Sequence, residues 1–141
     1  MNIDYSAYTT YLAAGAVVLI IVVILGVSLL RRRPKKLNIT KFRTRWDAIQ
    51  QLCANREAWP LAIINSDKLL DDALKQRRFK GKTMGERLVS AQHSLSENDS
   101  VWYGHKMRNK LVHEEVKPLP KTEVVKILSA FRKALKDLGA L

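Results

Sequence analysis

From Leu12 to Leu30 the chain carries no charged side chain (LAAGAVVLIIVVILGVSLL). As a helix, 19 residues reach about 28 Å, close to the ~30 Å hydrocarbon core of a bilayer. A helix satisfies its own backbone hydrogen bonds, so it can cross lipid where open chain cannot. Beyond residue 40 the pattern changes to amphipathic stripes. Phe42, Trp46, Ile49 and Cys53 recur at spacings of four, three and four, one face of a helix over 40–54. Trp59, Ile63, Leu70 and Leu74, with Ala62, Leu69 and Ala73, mark a second helix over 58–77, with Pro60 tolerated in its first turn and the acids Asp67, Asp71 and Asp72 on its other faces.

Thr83-Met84-Gly85-Glu86 has the T-x-x-E form of a capping box and opens a third helix that carries Leu88, Val89 and Leu95. Asn98, Asp99 and Ser100 offer the next N-cap, for a helix over 100–115 with Val101, Trp102, His105 and Val112. Pro118 and Pro120 end that region. Leu128, Phe131, Leu135 and Leu138 line a last helix over 121–138, and Gly139 is placed to cap it. No segment alternates apolar and polar residues for long, and no Asn-Gly or Asp-Gly pair marks a hairpin. The expected fold is all-α: a single N-terminal transmembrane helix followed by a small antiparallel bundle of about five helices.

The flanks give the span a direction. Tyr5, Tyr8 and Tyr11 precede it, as suits the headgroup interface, and Arg31, Arg32, Arg33, Lys35 and Lys36 crowd its other end. The positive-inside rule then places the N-terminus outside and the remainder in the cytoplasm, as a single-pass protein of the cell membrane. A cleaved signal peptide fits poorly, because there is no basic leading region and no clear A-x-A site before the basic block. A buried core helix would need partners on every face, which about 100 further residues cannot easily supply. The expected organisation is a short outer segment 1–11, the span 12–30, a basic joint 31–40 and a helical domain 41–141. No G-x-x-x-G marks the span as a dimerisation helix.

The formal net charge of +12 divides along these lines. The block 31–36 contributes +5 and serves as a stop-transfer and anionic-lipid contact. Residues 37–141 carry 20 basic and 12 acidic groups, leaving +8, which suits nucleic acid, lipid headgroups or an acidic protein. Cys53, the only cysteine, excludes an intrachain disulfide and reads as a buried thiol. His93, His105 and His113 lack metal-ligand spacing, FKGKTMGER lacks the G-x-x-x-x-G-K-[ST] phosphate loop, and no cofactor is implied. Trp46, Trp59 and Trp102 fall on apolar helical faces and read as core.

The candidate chemistry lies in WYGHKMRNKLVHEEV. At 100° per residue, with Arg108 at zero, His105 falls near 60°, Asn109 near 100° and His113 near 140°, with Val101, Val112 and Trp102 between them. Two His, an Arg and an Asn thus share a broad face with apolar residues. Such groups either satisfy one another and nearby carboxylates, Asp67, Asp71 or Asp72, or they line a cleft. An arginine can clamp a phosphate and stabilise developing negative charge, and a histidine can move a proton in RNA 2′-hydroxyl chemistry.

RNKLVH, Arg108 to His113, resembles the R-x4–6-H motif of HEPN domains, including the frequent Asn after the Arg. That resemblance covers roughly residues 40–139. It implies a small all-helical, often dimeric domain, in which Arg108 and His113 would form a metal-independent ribonuclease site, with Asn109, His105 and Lys110 as binding residues. Many HEPN domains are instead inactive binding or dimerisation modules. HepT-like toxins carry a Tyr two positions beyond the His where this chain has Glu115, so an AMP-acceptor role is not implied. The Trp59…Asp67 helix, the G-x-T-x-G-x-R-L turn and the W-x-x-H-x-x-R-N-x-x-x-H-E helix also look like small membrane-anchored proteins of ultra-small bacteria, a likeness that carries no activity. The expectation is a membrane-tethered HEPN-like binding module, with ribonuclease activity and recruitment of a cytoplasmic protein as alternatives.

Overall fold

The computed structural model describes residues 5–31, 36–114 and 116–141, with side chains from Thr9 to Ser28 in the first stretch. The chain is all-helical, with no strand among the described residues. It divides into two units, 1–33 and 34–141. The first is one helix, α1 (Tyr5–Arg31). Within it Thr9–Ser28 has a mean hydropathy of 2.7 and none of it is buried, so it is long and apolar enough to cross a membrane. The helix starts ahead of the apolar run, because Tyr5–Tyr11 contains no glycine or proline to break it. Arg32, Arg33, Pro34 and Lys35, assigned above to the membrane surface, lie outside the described residues, as does the Arg31 side chain; Lys36 is exposed.

The second unit contains α2 (Ile39–Leu52), α3 (Trp59–Gln76), α4 (Met84–Ala91), α5 (Asn98–His113) and α6 (Lys121–Asp137). Short 3-10 turns occupy Arg56–Ala58 and Gln92–Ser94. The stripes read from the sequence are the core. Phe42, Trp46 and Ile49 of α2, Ile63, Leu70 and Leu74 of α3, and Phe131 and Leu135 of α6 are all buried. Among the described residues, all buried hydrophobic ones fall between Phe42 and Ala140. The second unit therefore carries its own core. α3 runs through the middle and packs against α2, α4, α5 and α6.

The termini show which local signals acted. Asn38 caps α2, its side chain accepting from Lys41 N at 3.1 Å. Thr83 Oγ1 accepts from Glu86 N at 3.2 Å, as the capping box requires. The returning Glu86 carboxylate takes the N–H of Lys82 at 2.6 Å rather than that of Thr83. Asn98, Asp99 and Ser100 do not cap α5. The Ser96 N–H and hydroxyl both donate to Asp137 Oδ2, at 2.8 and 2.7 Å, fixing the chain just before the helix. α5 then begins at Asn98, with Glu97 at the N-cap position and no side-chain cap. Val89, expected inside, is 56% exposed, and Cys53 is only half-buried, its thiol pushed up by that burial.

α5 and α6 approach closely at Gly104. A Cβ there would lie 2.8 Å from Phe131 Cζ and 3.1 Å from Ile127 Cγ2, inside contact distance. On the outer side Tyr103 donates its hydroxyl to Glu123, and Lys126 Nζ sits 5.3 Å from the centre of the Tyr103 ring. The Glu123 carboxylate accepts from the neutral phenol and would repel a phenolate, so the Tyr103 pKa is raised.

Gly104→Ala should lower the stability of residues 36–141 by about 1–3 kcal/mol in a urea melt, because Phe131 has no room to retreat. Tyr103 is the only tyrosine in residues 36–141. Its absorbance titration should therefore show one midpoint, above the ordinary ~10 of tyrosine, and Glu123→Gln should bring it down. With the folded pKa raised, the stability linked to Tyr103 is full below the unfolded pKa. It is lost as pH rises through the folded one.

Candidate functional site

Asp67 organises the site. The sequence pattern placed it off the apolar face of α3, but it is only 3% exposed, in the stripe Ile63–Asp67–Leu70–Leu74. The spacing of four, three and four shows this: the acid occupies a core position of the helix. A carboxylate there must be compensated by hydrogen bonds and positive charge. α5 supplies both. His105 Nδ1 lies 2.8 Å from Asp67 Oδ1, and Arg108 Nε lies 3.4 Å from Asp67 Oδ2. The second contact is an ion pair by distance and is too poorly aligned for a hydrogen bond, so Nε has no hydrogen-bond partner.

Asn109 closes the ring. Its Oδ1 accepts from Arg108 Nη1 at 3.0 Å, and its Nδ2 lies 3.5 Å from His105 Nε2. In this arrangement the Nδ1 edge of the imidazole faces the carboxylate and the Nε2 edge faces the amide. Trp102 stands edge-on to the ring of His105, with centroids 6.0 Å apart. His105, Arg108 and Asn109 are thus brought together, with Asp67 as the fourth member.

A neighbouring pair ties α4 to the same wall. Arg87, 5% exposed, donates Nε to Asp71 Oδ1 at 2.7 Å and Nη1 to the carbonyl of Gly81 at 2.8 Å. Lys75 Nζ lies 2.6 Å from Asp71 Oδ2. Arg45 of α2 meets Asp72 at 2.8 Å. Sequence reasoning did not single out Arg87, although Met84, Arg87, Leu88 and Ala91 are all buried and form one helical face. A cleft of about 430 Å3 opens over this region, bordered by Asp67, Lys68, Asp71, Gly85, His105 and Arg108. An apolar cleft of about 420 Å3 lies elsewhere, between Trp59–Pro60 and Val116–Leu119, and holds no candidate residue.

His113 and Lys110 lie apart from the ring. Both are exposed, and among the described residues neither side chain hydrogen-bonds or ion-pairs. His113 is the last residue of α5. On the helical wheel Lys106, Lys110 and Tyr103 fall near 160°, 200° and 220° from Arg108, beside His113 at 140°. All four are exposed, so α5 has an inner polar edge at His105–Arg108–Asn109 and an outer basic stripe. The broad face expected from the sequence is divided between these two. Glu115 lies outside the described residues. No family model, curated protein or solved structure matches the chain.

Asp67→Asn should destabilise residues 36–141 by about 2–3 kcal/mol, below the 3–5 typical of a fully buried pair because Arg108 is a third exposed. His113→Ala should stay within about 0.5 kcal/mol. Equal effects in a denaturant titration would contradict the division of α5.

Proposed function

We propose that this protein is a membrane-tethered, HEPN-like binding and dimerisation module, with α1 as a single-pass anchor, an antiparallel bundle in the cytoplasm and RNA as its partner. The observation that carries this reading is the division of α5. Arg108 and His105 are engaged by Asp67, which turns the would-be phosphate clamp into a brace between α3 and α5. The groups left facing outward are Tyr103, Lys106, Lys110 and His113. Basic side chains with an interleaved aromatic suit a nucleic-acid backbone, and the +8 charge of residues 37–141 adds long-range attraction. Lys36, with the block that precedes it, would meet anionic headgroups.

A second reading, metal-independent RNA cleavage by Arg108 and His113, is favoured by the cleft at the Arg108 edge. In that case His113 would serve as acid or base and Arg108 would hold the phosphate.

Residues 36–141 should bind single-stranded RNA in a salt-sensitive manner without cutting it. Lys106→Glu/Lys110→Glu should weaken binding at least tenfold, roughly as expected for lost phosphate contacts. Cleavage abolished by His113→Ala and by Arg108→Ala, with the fold intact, would replace this reading by the second. No RNA binding would leave recruitment of a cytoplasmic protein. Light scattering of the same samples reads dimerisation. Release of the full chain from membranes by alkaline carbonate, or loss of its first 30 or so residues in cells, would replace the anchor by a signal sequence.

A further inference from the structure

The segment that follows α3, Arg77-Arg78-Phe79-Lys80-Gly81-Lys82, closes the end of the bundle at which the chain enters. Two contacts establish this. Trp59 Nε1 donates to the carbonyl of Cys53 at 3.0 Å, so the end of α2 meets the beginning of α3. Arg45 pairs with Asp72, so the beginning of α2 lies along the far part of α3. Lys41, one turn before Arg45 on the same face, therefore stands beside the last turn of α3. Lys36, Lys41, Arg78, Lys80 and Lys82 are all exposed. Among the described residues no carboxylate ion-pairs with Lys41, Lys80 or Lys82. The nearby Glu86 carboxylate accepts the backbone N–H of Lys82.

α3 and α6 end in the same hydrogen-bond pattern. After α3, Phe79 N donates to Leu74 O and Arg78 N to Lys75 O; after α6, Ala140 N donates to Leu135 O and Gly139 N to Lys136 O. Each pattern places one residue in the left-handed region, Arg78 at φ 65° and Gly139 at φ 70°. Glycine takes that conformation without steric cost and a residue with a Cβ does not. α3 thus carries an arginine at a position whose backbone glycine would adopt without cost.

We infer that this end of the bundle, built from Lys41, Arg78, Lys80 and Lys82, docks on anionic phospholipid headgroups. The inference rests on α1 being an anchor. Seven residues separate Arg31 from Ile39, eight steps that span at most about 28 Å at full extension. A bilayer holding α1 is therefore always within reach of the end where α2 begins. Headgroup attraction falls off within about a Debye length, so a short joint is what lets these charges act. The domain is then held at the surface, with the outer stripe of α5 on a different part of the bundle.

The test is co-sedimentation of residues 36–141 with phosphatidylcholine vesicles, with and without phosphatidylserine. Binding should require phosphatidylserine and weaken as salt is raised. Lys80→Glu/Lys82→Glu should bind at least about thirtyfold more weakly, and Arg78→Gly about fivefold more weakly. The melting temperature of Arg78→Gly should stay the same or rise, because glycine relieves the backbone. Lys117→Glu/Lys121→Glu makes the same charge change at the opposite end, near the beginning of α3, and should bind within about twofold of the parent. An equal loss in that control would overturn the inference in favour of diffuse net charge. Binding that ignores phosphatidylserine, or sensitivity of RNA binding to Lys80 and Lys82 with no vesicle binding, would also overturn it. Carbonate release of the full chain would overturn the anchor alone, since the vesicle assay does not contain α1.

Discussion

The arrangement of the helical domain depends on one buried carboxylate. Asp67 sits at a core position of the central helix, 3% exposed, so its charge has to be met mostly by protein groups. His105 and Arg108 meet it from α5, and Asn109 joins them into a ring. That requirement sets the rotation of α5 about its axis. With His105 turned inward, Gly104 presses on Phe131, Val101 is buried, and Lys106, Lys110 and His113 are turned out. The functional reading follows from the rotation more than from the motif. The same residues on a helix turned by a quarter would present Arg108 and His113 together.

Asp67 belongs to a wider use of acids on α3. Asp71 holds Arg87 and Lys75, and Asp72 holds Arg45. The Lys75 pair lies within α3, and the others cross-link the central helix by charge to α2, α4 and α5. Exposed pairs of this kind contribute little to stability. The Arg87 pair differs because it is buried and also fixes the Gly81 carbonyl. Through it the basic turn after α3 and the first turn of α4 are held to the core. Lys80 and Lys82 therefore flank a glycine whose carbonyl is tied to the core through Arg87.

Much of the fold was legible because the signals were local. The apolar run at 12–30 states a helix long enough to cross a membrane, and the stripes Phe42–Trp46–Ile49 and Leu128–Phe131–Leu135 state which face is buried. Thr83 and Gly139 act through bonds within a few residues, so their roles could be read directly. The start of α5 could not be, because Asp137, 41 residues away, takes Ser96 and moves the boundary. The site was legible as a set of residues: His105, Arg108 and Asn109 stood out as a group, and pairing with Asp67, Asp71 or Asp72 was one of the two arrangements expected. What the sequence pattern missed is that Asp67 occupies a core position of α3 rather than one of its other faces.

By itself, the sequence determined the element order, the helix faces, the length of the apolar segment and the basic character of the rest. These follow from period, propensity and charge, which are properties of neighbours along the chain. The tertiary structure decided which acid meets which base, how far α5 is turned, and that Lys41 lies with Lys80 and Lys82 at one end. These depend on groups far apart in the chain whose pairing is chosen by packing and by the cost of leaving a buried charge alone. A motif names the residues available. Only the packed structure separates those that hold the fold from those left free to meet something else.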